Sequence, residues 1–99
     1  MVAVPNVSRE IGRSVVSMRV VMRPIEMIAW FDAPGTLRPI RFRHDGKVVI
    51  VEQIIKISEE KLVGNHMKIF ECRNQIEGLM KHFELKYEIN TCKWFLYKI

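Results

Sequence analysis

From Pro24 onward, apolar and polar residues alternate at the short period of β-strands, broken by glycine-containing turns. Ile25 to Phe31 is an apolar, β-prone run. Asp32-Ala33-Pro34-Gly35-Thr36 then supplies a turn. In Pro39 to His44 the alternation is clean, with Ile40 and Phe42 on one face and Arg41 and Arg43 on the other. Asp45-Gly46 follows at once, and Asp-Gly between two β-patterned runs predicts a tight hairpin. Lys47 to Ile57 is apolar on both faces around Val48 to Val51, as expected of a strand buried on both sides or bent around a barrel corner. Ser58 to Asn65 reads as a polar loop with room for one helical turn at Glu59 to Leu62. Met67 to Arg73 is a short strand, and Asn74 to Gly78 the next turn. Leu79 to Ile89 sets Phe83, Leu85, Tyr87 and Ile89 against His82, Glu84, Lys86 and Glu88. Asn90-Thr91 turns the chain into a last strand, Lys93 to Ile99.

Six short strands joined by polar turns predict an all-β domain, a small six-stranded SH3-like barrel or barrel-like sandwich. Closure favours the barrel because it removes exposed edges. The predicted domain covers residues 22–99. Residues 1–21 differ in having no aromatic side chain. Ile11, Val15 and Met18 in this tail, with Met22 just after it, fall at helical spacing, so the N-terminal tail is expected to be flexible or weakly helical. The composition break also raises the expectation that translation starts at Met18 or Met22.

At 99 residues there is room for one core. A composition 48% hydrophobic and 27% charged is that of a globular chain. No apolar run reaches the length of a membrane span and no secretory leader is apparent, which predicts a cytoplasmic protein. The formal net charge of +5 invites a nucleic-acid reading. Much of that excess lies in residues 1–23, where four arginines face one glutamate.

Within the domain, Arg38, Arg41, Arg43 and Lys47 cluster with only Asp45 as an acid among them. Cations at this spacing suit phosphates, and small barrels bind single strands by adding stacking aromatics to such a groove. Trp30 and Trp94 are the candidate platforms, although a tryptophan in so small a domain is more often a core residue.

Catalytic signals are missing: no Gly-x-Ser-x-Gly, no P-loop, no converging carboxylates. Cys72, Cys92, His66 and His82 are too scattered to predict a zinc site. A Cys72–Cys92 disulfide would need neighbouring strands and an oxidising compartment. The expectation is therefore a non-catalytic binding module without cofactor. It favours nucleic acid through Arg38, Arg41, Arg43 and Lys47. The alternative is a protein-interaction or self-association domain using a strand edge or the N-terminal apolar stripe.

The stretch Leu37-Arg38-Pro39-Ile40-Arg41-Phe42-Arg43, with Asp45-Gly46-Lys47, Val51 and Ile54, resembles a small bacterial family of domains of unknown function. Met22-Arg23-Pro24-Ile25-Glu26 is similar to that family's first strand, and Phe83-x-Leu85-x-Tyr87 with Trp94-x-Leu96 to its closing hairpin. The resemblance spans residues 22–99. Modules related to the family occur as C-terminal tails of mutagenesis proteins that look like Y-family DNA polymerases, so the resemblance implies a DNA-transaction setting by association. This chain departs from the pattern at Val48 or Val49, where the family tends to carry an aromatic residue. It departs again around Ser58, where the family tends to carry a tryptophan.

Overall fold

The computed structural model describes residues 18–99. The tail positions Ile11 and Val15 lie outside the described residues. The domain is all-β. Its strands are β1 (Val20–Phe31), β2 (Leu37–His44), β3 (Lys47–Ile50), β4 (Gln53–Leu62), β5 (Asn65–Ile76), β6 (Leu79–Glu88) and β7 (Lys93–Lys98). They form one antiparallel sheet, ordered β3-β2-β1-β7-β6-β5-β4, curled into an open half-barrel. No helix among the described residues is long and apolar enough to cross a membrane.

The count is seven strands where the alternation predicted six. The difference arises at Val51 and Glu52, where the expected single strand breaks. β3 pairs with β2 at one edge of the sheet, whereas β4 pairs with β5 at the other. A two-residue link thus joins the two outermost strands, and that link requires the sheet to curl. The buried Asn74 side chain of β5 holds it. Asn74 Nδ2 donates to the Ile50 carbonyl at 2.6 Å, and Oδ1 accepts the Glu52 N–H at 2.9 Å. Glu52 Oε1 in turn accepts the Gln75 N–H at 2.9 Å.

The polar stretch Ser58 to Leu62, expected as a loop, continues β4 as an edge strand. An edge strand has only one neighbour and tolerates polar side chains on both faces. The turn falls instead at Val63-Gly64. At the other end, β1 begins two residues inside the expected tail. The Arg19 and Ile99 backbones exchange two hydrogen bonds, of 2.7 and 3.0 Å.

β1 is long enough to serve two partners. Val20 to Ile25 pair with β7, and Glu26 to Phe31 pair with β2. The sheet therefore has a five-stranded limb (the first half of β1, with β7, β6, β5 and β4) and a three-stranded limb (the second half of β1, with β2 and β3). The core lies between them. Phe70, Leu85, Leu96 and Trp94 come from the larger limb and Leu37 and Phe42 from the smaller. Phe42 and Phe83 meet across the limbs with ring centroids 5.7 Å apart.

The Asp45-Gly46 hairpin forms as expected, with both residues at positive φ (50° and 75°) and His44 paired with Lys47. These are the angles of a type I′ turn, which matches strand twist and which glycine adopts without strain.

Candidate nucleic-acid interface

The site begins with the pleat of β1. Met27 and Ala29 face inward, which turns Glu26, Ile28 and Trp30 outward. β2 adds Arg41 opposite Ile28 and Arg43 next along the strand, opposite Glu26. Strict alternation would send Arg38 to the inner face, three positions before Arg41. A β-bulge intervenes: Ile28 pairs with Arg41 but Ala29 with Pro39, so Ile40 is an extra residue on β2. The bulge restores Arg38 to the outer face, opposite Trp30. Pro39 sits beside it, where its missing N–H weakens the case for regular pairing. β3 completes the face, with Ile50 opposite Arg41 and Val48 opposite Arg43.

The result is a surface of three cross-strand rows: Trp30–Arg38, Ile28–Arg41–Ile50 and Glu26–Arg43–Val48. Its apolar members are exposed, Trp30 by 55% and Ile50 by 60%. The Arg38 guanidinium lies 5.7 Å from the centre of the Trp30 ring, within cation–π range. Arg43 is partly neutralised by Glu26 at 3.3 Å. Among the described residues, Arg38 and Arg41 have no carboxylate partner. Glu26 is the only acid in β1, β2 and β3. A hollow of about 370 Å³ lies over this face, lined by Glu26, Ile28, Arg41, Arg43 and Val48 together with Met27 and Phe42. The arrangement offers a ring face for stacking and fixed cations for phosphate oxygens, at cross-strand spacing.

Three of the four expected cations are thereby brought together. Lys47 is not: it pairs with the half-buried His44 and projects from the opposite face of the hairpin. Of the two tryptophans, Trp94 is a core residue at 7% exposure, packed on Phe70 and Tyr87. Trp30 is the available platform. One sequence signal pointed to it, since Glu26 shares its parity along β1 and marks that face as outward.

The other reactive groups lie apart. Cys72 and Cys92 are free thiols. Cys72 is buried in the core, and burial pushes its pKa up to about 12. Cys92 is exposed in the β6–β7 turn. His66 Nε2 lies 2.8 Å from Glu59 Oε1, and this hydrogen bond holds the Glu59 carboxyl below the ordinary range. No three His, Cys, Asp or Glu side chains converge as a metal site among the described residues.

Comparison of the chain with protein-family models, with curated proteins and with solved structures finds no match.

Proposed function

We propose that the outer face of β1, β2 and β3 binds single-stranded nucleic acid. Phosphates lie against Arg41 and Arg38, and one base stacks on Trp30. The observation that carries this reading is the exposed Trp30 ring set beside Arg38, one row from Arg41, on a surface with a single acid. An exposed tryptophan costs apolar hydration, and its presence beside unpaired arginines is accounted for by a ligand with a π-face and a negative charge. Arg43 contributes less because Glu26 partly neutralises it, and Lys47 lies on the wrong face. No group in this reading performs covalent chemistry. The protein acts as a non-catalytic binding module.

The test is a fluorescence-anisotropy titration of labelled single- and double-stranded oligonucleotides at low and physiological salt. Micromolar binding is expected at low salt, tighter for the single strand. With about two phosphates neutralised, log K should fall with log salt at a slope of about −1.4. Absence of binding at low salt, where surface electrostatics are strongest, overturns the reading.

A further inference from the structure

The sheet is open, and its opening has a defined place. β3 stops at Ile50, opposite Arg41, so the beginning of β2 (Leu37 to Pro39) has β1 on one side and no strand on the other. β4 is the terminal strand at the far edge, with β5 on one side only. These two unpaired edges face each other. A single cleft of about 670 Å³ is lined from β2 by Thr36 to Ile40 and from β4 by Ile54 to Ile57, with Val51 and Glu52 at its apex.

We propose that this seam binds an extended peptide from another protein, which adds as a strand along β4 and alternates apolar with acidic side chains. The pleat supplies the pattern. On the inner side, the seam is floored by Leu37 and Pro39 of β2, both already buried in the core. From β4 it presents Ile54 and Ile57, whose cross-strand partners are the buried Cys72 and Phe70. On the outer side it presents Arg38 from one wall and Lys56 from the other, Lys56 standing opposite Glu71 on the convex face. Glu52 at the apex is already engaged by the Gln75 N–H. Among the described residues neither Arg38 nor Lys56 forms an ion pair. A strand seated between the walls would set one row of side chains against Ile54 and Ile57 of β4. The other row would lie between two cations.

The same geometry selects the kind of strand. A second copy would bring its own β4 backed by β5, and β2 stands where that backing sheet would lie. A strand with both edges free fits. Residues 1–17 carry two arginines against one glutamate, the wrong sign for a seam flanked by Arg38 and Lys56.

The probe is a fluorescein-labelled octapeptide of alternating valine and glutamate, titrated against the full chain. Its counterpart alternates valine and lysine. The expected result is micromolar binding of the glutamate peptide and at least about tenfold weaker binding of the lysine peptide. In the Lys56→Gln protein this preference should shrink by at least about threefold. Lys56 lies outside the Trp30–Arg41 face, so oligonucleotide binding should change by no more than about twofold in that variant. The two readings thus fail separately. A glutamate peptide N-methylated at alternate residues should not bind, because strand addition needs its N–H groups. Amide exchange should slow at alternate residues of β4. Several results would overturn the proposal: equal binding of both peptides, retained binding of the N-methylated one, or protection mapping to Trp30 and Arg41 instead of β4. Slowing of β4 exchange with rising protein concentration alone would also overturn it, by placing a second copy in the seam.

Discussion

At the centre of the outer face of β5, β6 and β7, even a charge is covered. Lys86 is 6% exposed; its ammonium lies 3.1 Å from Glu60 and 3.8 Å from the centre of the Tyr97 ring, and Met67 beside it is 4% exposed. On the outer face of β1, β2 and β3 the reverse holds. Ile28, Trp30, Val48 and Ile50 are all more than half exposed, and Arg41 stands between two isoleucines without a carboxylate. Both faces belong to one sheet and share β1. Around Lys86 the larger limb satisfies its outer side chains internally, so that part of its surface serves stability. The smaller limb leaves apolar area and charge unmatched, which adds nothing to folding and is available to a ligand. Substitutions should therefore separate stability from binding according to limb.

The largest effect is expected in the core of the larger limb. Leu85 is fully buried between Phe70 and Leu96 in the cross-strand rows. Leu85→Ala should cost about 3 kcal/mol, a large share of the stability of so small a domain. Urea denaturation would measure it. A loss below about 1 kcal/mol would mean that the core is looser than its burial implies.

Next is the joint between the limbs. Asn74 satisfies the Ile50 carbonyl and the Glu52 N–H at once, and it is 4% exposed. Asn74→Ala leaves both backbone groups without that partner, and about 2 kcal/mol of stability should go with them. Amide exchange should quicken around Val51 and Glu52 before it quickens in β5 and β6.

Cys72 adds a pH signature to the larger limb. Burial raises its pKa from 9.0 to about 12, so the folded state holds the neutral thiol while the unfolded chain ionises near pH 9. This contribution is fully present below pH 9 and is lost as pH rises toward 12. Stability should fall over that range and fall less steeply in Cys72→Ala. At neutral pH, iodoacetamide should label Cys92 and leave Cys72 unmodified until the protein unfolds.

On the smaller limb the order reverses. Trp30→Ala removes a half-exposed ring and should cost under about 1 kcal/mol of stability. Single-strand affinity should drop by about tenfold, the loss of one base stack. If stability fell by several kcal/mol instead, Trp30 would be a packing residue, and the contrast between the two outer faces would collapse.

These contrasts were only partly legible in the chain. The all-β character, the Asp45-Gly46 hairpin and the outward direction of Arg41 and Arg43 follow from local alternation and turn chemistry, and those survive folding unchanged. The break at Val51 and Glu52 has no glycine or proline to announce it; it is imposed by Asn74, more than twenty residues away. Ser58 to Leu62 reads as a loop because polarity along the chain implies solvent on all sides, whereas an edge strand needs only one neighbour. The bulge at Ile40 is a matter of pairing with β1, and no single-strand pattern contains it. Yet that bulge decides whether Arg38 joins Trp30.

The smallest effect tests the pleat itself. Arg41 and Lys47 are both exposed cations of one hairpin, six residues apart, and a purely electrostatic surface would use them alike. The register separates them: Arg41 pairs with Ile28 and Ile50 on the outer face, and Lys47 pairs with His44 on the other. Arg41→Ala should weaken single-strand binding several-fold and reduce the magnitude of the salt slope by about 0.7, the share of one phosphate. Lys47→Ala removes the same unit of charge from the same hairpin, so diffuse attraction falls equally in the two variants. Any difference between them therefore measures contact and not net charge. Lys47→Ala should change affinity by less than about twofold and leave the slope in place. Equal losses from both would mean that the ligand responds to the charge of the limb as a whole, and that the ordered rows of Trp30, Arg38 and Arg41 are not what it reads.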